Sequence, residues 1–414
     1  MNRLVKIRLR RKGVVAPLIG LLLIPLLGMA AFAVDVGWMV LAQSDLQNAA
    51  DAAALAGAEQ LIGQQQLNAS TGLYSLNNGF AEYYMPGQTA VQQLAILNTA
   101  ESAAKTVAKN YASYHSAGKV SSLALNDSDI EFGFTDGSGS YTACPAYKGY
   151  PNTLKVTVRL DSNANGSLPL FFGPILGKST EDLVVTASAT IYSGTVNSVS
   201  INPGFVSRML PMTFDVNQWN NFLATGLGPD GVPDIGPNGA PQLPVYPSIK
   251  YDGNFGLLSL DQGNDGASTI SGWIDNGVSS TDLQQEINDH LLPISSHDAN
   301  SWDWKGNPGL KTSDIHAVAP HVGDTYLLPL FKPYDAGVPD STTYQAGVGC
   351  GSHYDYNIVK FVGIRITYVD NSSIHVQPAS ELDTNAVLTG VTPAAPPTVG
   401  SPLVTTFTTP KLSQ

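Results

Sequence analysis

The sequence predicts an α+β protein carried on a single amino-terminal helix, and three observations predict it. Residues 14–34 are 21 consecutive positions without a charge, with a basic run before them and Asp35 after them. The stretch that follows, WMVLAQSDLQNAADAAALAGA, continues in strong helix formers. Beyond residue 129 the apolar spacing changes to the alternation of strands, as in KVTVRL and VVTASATIY. The expected architecture is a transmembrane helix continuing into an Ala-rich helix packed on an antiparallel sheet. A second α+β unit with a mixed or antiparallel sheet follows it.

At about 1.5 Å per residue the uncharged run forms a helix of about 30 Å, the thickness of a hydrocarbon core. Arg3, Lys6, Arg8, Arg10, Arg11 and Lys12 precede it with no acid among them. The positive-inside rule therefore keeps residues 1–13 cytoplasmic, with a transmembrane segment over residues 14–41 and the rest outside. Pro17 and Pro25 are expected to kink the helix, as lipid-embedded helices tolerate. Ala31, Phe32 and Ala33 also fit a small-x-small cleavage pattern, so the competing reading is a signal peptide cut after Ala33. Against it, the apolar stretch is longer than a signal core and the helix formers continue past Asp35.

Of 414 residues, 21 are basic and 33 acidic, a net charge of −12. Setting aside the six amino-terminal cations leaves 15 basic groups against 33 acidic ones, or −18. A body so acidic is a poor nucleic-acid partner, since phosphate binding needs clustered Lys and Arg. The two cysteines, Cys144 and Cys350, match no zinc or redox spacing. Outside the cytoplasm they are candidates for one long-range disulfide, with two free thiols as the alternative.

The basic start and GVVAPLIGLLLIPLLGMAAFAVDVGWMVLAQSDLQNAADAAALAGA together resemble the amino-terminal module of TadG-like (TadE/G-like) proteins of the Tad, or Flp, pilus-assembly system. The specific part is DVG at residues 35–37 followed by LQNAADAAALAGA at residues 46–58. The resemblance implies a pilus-assembly component in the bacterial inner (cytoplasmic) membrane. Prepilin-like relatives place Glu five residues after the cleavage-site Gly, whereas Leu18 stands five residues after Gly13. A permanent anchor is expected rather than a processed filament subunit.

An Ala-rich extracytoplasmic domain is expected over residues 42–196. In it a helix over residues 99–116 turns Ala103, Val107, Tyr111 and Tyr114 to one side. Strands follow over residues 129–134, 153–161 and 183–192. The apolar insertion LPLFFGPILGKS, residues 168–179, is expected to lap over the core, because exposed apolar patches are uncommon. The small polar run near residues 194–204 suggests a boundary. A second domain, residues 205–380, should contain a strand over 209–214, a helix over 216–225 and an irregular Pro/Gly-rich loop over 226–247. Strand, turn and helix are then expected over residues 254–277, and further helices over 281–287 and 312–318. Strands should close this domain over residues 325–331, 356–369 and 373–377, the middle one central in its sheet. Residues 388–414 read as a flexible Pro/Thr-rich tail.

Signatures of chemistry are sparse. No GxSxG, HExxH or P-loop occurs. Cys350 with His353 would suit an activated thiolate nucleophile, and His316 with His321 could ligate zinc, joined by His290, His297 and Asp298 only through the fold. Asp230, Asp234 and Asn238, and Asp261, Asn264 and Asp265, lie in turn-like loops without the EF-hand spacing. The expected function is non-enzymatic, with no cofactor: an anchored pilus- or envelope-assembly component acting by protein contacts. Its candidate contact residues are Asp35, Gly37, Leu46, Gln47, Asn48 and Asp51, where the helix leaves the bilayer. Its partners would be the membrane, other assembly proteins and, by self-association, further copies. The alternative is an anchored binding protein or hydrolase using Asp230, Asp261, His316 or His353.

Overall fold

A computed structural model describes residues 15–199, 204, 206–246, 256–260, 266–283, 303–308, 312–332, 348–350, 353–383, 386–398 and 403–413. Helix α1 (Val15–Ile62) runs unbroken for 48 residues, through Pro25, a length of about 72 Å. Its two halves present different surfaces. Leu18, Leu21, Ile24, Leu27 and Val34 are exposed, whereas Ala42, Leu46, Ala49, Ala50, Ala53 and Ala54 are buried. The buried set recurs every three or four positions, which makes one helical stripe.

Against that stripe lies α2 (Ala90–Ser113), opened by a capping box in which Thr89 and Gln92 satisfy each other's backbone amides. Its buried positions are Ile96, Ala100, Ala104, Ala108 and Ala112, one per turn. A Cβ on Gly57 of α1 would stand 2.3 Å from Leu154 Cδ2 on the sheet below and 3.2 Å from the Ala104 carbonyl oxygen of α2, so glycine suits the close packing of α1 on both. This corrects the expected face. Tyr111 and Tyr114 are exposed, and Ala103 and Val107 are half-buried. Small side chains won because only they permit so close an approach.

The first sheet elements are the hairpin β1 (Gln64–Leu67) and β2 (Tyr74–Asn77), then β3 (Ile130–Thr135), β4 (Thr153–Leu160) and β5 (Leu183–Val199). In β4 the inward Leu154, Val156, Val158 and Leu160 are buried in one cluster with the Ala stripe. The chain continues with β6 (Met212–Asp215) and α3 (Val216–Thr225), capped by the Asp215 carboxylate and by Gly226 at φ +70°. Then come β7 (Pro241–Tyr246), β8 (Gly256–Leu258), α4 (Ala267–Asn276), α5 (Thr312–Val318) and β9 (Thr325–Phe331). The last elements are β10 (His353–Val369), β11 (Ile374–Pro378), β12 (Ala386–Pro393) and β13 (Phe407–Ser413).

One large mixed sheet joins both halves in the order β8, β6, β9, β10, β5, β4, β3. Strands β6 and β9 pair in parallel, and the other neighbours in this order are antiparallel. Strand β10 is central, as its apolar sequence predicts. Two hydrophobic clusters flank the shared sheet, one under α1 and α2 and one around Trp219, Trp273 and Tyr326.

Three expectations change. The small polar run expected at residues 194–204 is strand as far as Val199, the end of β5, whose Val196 pairs with Phe361 of β10; its Thr and Val residues suit a strand although its small polar composition suggests a linker. The Pro-rich stretch over residues 226–247 contains β7, which pairs with β11. The expected flexible tail instead forms β12 and β13, both paired with β5. Phe407 is 1% exposed there and meets Phe80 at 5.6 Å, so a distant core supplies the burial that local composition lacks. The helix expected over residues 281–287 begins as Ser280–Leu283 and its remainder lies outside the described residues.

Candidate functional site

The surface of α1 changes character at Asp35. Its carboxylate is 4% exposed and faces the loop over residues 168–179. Oδ1 accepts the Phe171 N–H at 2.7 Å, and the Phe172 N–H lies 3.1 Å from Oδ2. One turn on, Trp38 Nε1 donates to the Pro169 carbonyl at 3.2 Å, and its ring meets Phe171 at 5.5 Å. The loop is built to hold this shape. Strands Leu168–Pro169 and Thr180–Glu181 close its base, and a 3-10 turn spans Gly173–Leu176. A Cβ on Gly173 would sit 2.1 Å from the Lys178 carbonyl oxygen, so no larger residue fits. Leu168 is buried as expected, but Phe171, Phe172 and Ile175 point outward, and Ile175 is 82% exposed. The loop therefore does not lap over the core.

The other contact candidates divide by position. Leu46 lies in the Ala-stripe core, so it and Asp35 are occupied inside the chain. Gln47 Nε2 donates to Asp51 Oδ1 at 2.8 Å, one helical turn away. Gly37 and Asn48 are exposed. What the sequence reading missed is that Trp38, Phe171 and Phe172 belong with Asp35; the apolar insertion itself was the available signal.

Residues 13–60 match the Tad family model, putative Flp pilus-assembly TadE/G-like. The matched stretch coincides with α1, whose exposed part is long and apolar enough to cross a membrane. No curated protein and no solved structure gives a match to the chain.

Beyond the matched helix, the expected chemical residues fall in separate places. His321 is buried and bridges two carboxylates, with Nδ1 2.9 Å from Asp324 Oδ2 and Nε2 2.9 Å from Asp275 Oδ1. Burial lowers its pKa, but the hydrogen bonds to Asp324 and Asp275 outweigh this and raise it above the ordinary value. Burial would raise Asp324, yet His321, Asn68 and Thr71 hold it below the usual carboxylate range. Asn68 Nδ2 and Thr71 Oγ1 come from the β1–β2 hairpin, at 3.0 and 2.9 Å. This network pins the first half of the chain to the second. An Arg365–Glu82 ion pair makes a second such link.

His316 is exposed and bonds Asn371 at 3.2 Å, so it does not share a ligand set with His321. Asp230 Oδ1 accepts the Val232 N–H inside its own turn. Asp234 instead pairs with His375 Nδ1, whose Nε2 lies 3.1 Å from Ser373 Oγ. Although this order resembles a hydrolytic triad, Ser373 also bonds Asp370, whose carboxylate caps the turn between β10 and β11. Asn238 bonds Gln377. Among the described residues no group of three metal-ligating side chains occurs. Cys144 is a half-buried free thiol, its pKa raised by burial. The side chains of Cys350 and His353, together with His290, His297, Asp298, Asp261, Asn264 and Asp265, lie outside the described residues.

Proposed function

We propose that the protein is a membrane-anchored, non-enzymatic component of Tad/Flp-type pilus or envelope assembly, acting through protein contacts outside the cytoplasm. The match over residues 13–60 supports the pilus-assembly role. The single observation that carries the anchoring is the change of surface along α1. From Leu18 to Val34 its large apolar side chains are exposed, whereas beyond Ala42 one face is buried against α2 and the sheet. Water would penalise the first half, and a hydrocarbon layer removes that cost.

In this reading the basic residues before the helix stay in the cytoplasm of the bacterial inner membrane, and the sheet-bearing body stands outside. Partner proteins, or further copies, then meet the body where α1 emerges, at surfaces such as Gly37 and Asn48. Of the residues in the hydrolase reading, Asp230 bonds within its own turn and His316 bonds Asn371. Deleting the gene and scoring surface pili, adhesion and secretion tests the role. Loss restored by the native gene is expected, and a strain normal in all three would refute it. Labelling an Asn48→Cys protein, in a background with Cys144→Ser and Cys350→Ser, with an impermeant thiol reagent on intact inner-membrane spheroplasts tests the orientation. Protection from the reagent until lysis would reverse it.

A further inference from the structure

We infer that the loop over residues 170–177 is a second membrane-inserted element, lying among lipid acyl chains in the outer half of the bilayer beside α1. The inference rests on the reading of α1 as a bilayer-spanning anchor. Phe172 and Ile175 line an apolar groove of about 580 Å³ together with Ile24, Leu27, Ala31 and Val34 of α1. Ile24 precedes Asp35 by eleven residues, about 16 Å along the axis and roughly half of a hydrocarbon core. A loop that shares a groove with these residues shares their depth. If they lie in lipid, so does it.

Its backbone is suited to that place. Non-helical chain at membrane depth must satisfy its own polar groups. Pro169 and Pro174 carry no N–H. The Phe171 and Phe172 amides donate to Asp35, the Leu170 amide to the Ser179 carbonyl and the Ile175 amide to the Phe172 carbonyl. Gly177 donates to Pro174 and Lys178 to Gly173. Asp35 thus serves both as the end of the apolar run and as the acceptor that lets a loop enter lipid. At the rim, Lys119 Nζ lies 6.0 Å from the Phe171 ring, and Lys178 pairs with Glu181. Cations at that level face lipid headgroups.

The occupant is lipid rather than a protein because the exposed loop continues the exposed apolar surface of α1 without a polar break. Photolabelling tests it with the full native chain, reconstituted in nanodiscs whose phospholipid carries a diazirine in the acyl chain. After irradiation, mass spectrometry locates the adducts. Adducts are expected both on α1 between residues 18 and 34 and on the peptide from residue 160 to Lys178, with none on the exposed face of α2 around Ser102. Adducts on α1 without any on the 160–178 peptide would overturn the inference and leave the anchor intact. Absence from both would overturn the anchor and the inference with it. An Ile175→Asp protein, altered at an exposed position and so expected to fold, should lose the adducts of the 160–178 peptide while keeping those on α1; if its loop stays labelled, the insertion is overturned.

Discussion

Replacing Asp35 by Ala removes one buried carboxylate and leaves two backbone amides, those of Phe171 and Phe172, without acceptors. The pocket excludes water, since Asp35 is 4% exposed. Each buried amide left unmade costs about 1–3 kcal/mol, so the loop's attachment should weaken by about 2–6 kcal/mol. At about 1.4 kcal/mol per tenfold, the two amides should exchange with solvent between about thirtyfold and about ten-thousandfold faster. Trp38 still bonds Pro169 and the base strands remain, so the effect should stay within the loop. Hydrogen exchange on the reconstituted full chain, resolved to the peptide over residues 168–179, reads this directly. Asp35→Asn keeps one carbonyl acceptor and should fall between. Native-like exchange of the loop in Asp35→Ala would refute the argument that Asp35 holds it.

Further outcomes follow from the packing and the buried charges. Ala104→Leu inserts bulk where α1 and α2 touch, and should destabilise the fold by about 1–3 kcal/mol in chemical denaturation, while Val91→Ala on the exposed face should be near neutral. Phe407→Ala should cost about 3–5 kcal/mol, because the ring is enclosed against Phe80; an unchanged midpoint would return residues 403–413 to the status of a loose tail. The His321 pKa is raised in the fold, so its stabilisation is fully present below the ordinary histidine value and is lost as pH rises through the raised one. The stability difference between the native chain and His321→Asn should therefore shrink from pH 6 toward alkaline pH. Asp324 is lowered, so its contribution is present above the ordinary carboxylate value and is lost as pH falls through the depressed one.

Local regularities were legible in the sequence. The uncharged span, the Ala-rich continuation, helix α3 with Asp215 before it and Gly226 after it, and strand β9 all follow from periodicity and end signals that neighbouring residues impose on one another. The family signal was likewise confined to α1. Long-range partners were not legible. The choice of the Ala stripe over the Tyr111 and Tyr114 face depended on how near α1 would come, and β12 and β13 became strands because β5 offered them an edge. His321 found Asp275 and Asp324, and through Asp324 the β1–β2 hairpin, across a separation of some 250 residues.

The same division runs through the site. Sequence alone determined that an uncharged apolar run ends at Asp35 and that an apolar insertion lies at residues 168–179, because charge and hydropathy are properties of the residues themselves. Only the tertiary structure decided that the two meet, that Asp35 turns inward to hold the loop, and that Phe172 and Ile175 face outward beside Leu27 and Ala31. Hydrogen bonds between residues 136 positions apart leave no trace in composition. They exist because β4 and β5 stack under α1 and carry the loop between them to the one level of the helix where a buried carboxylate waits.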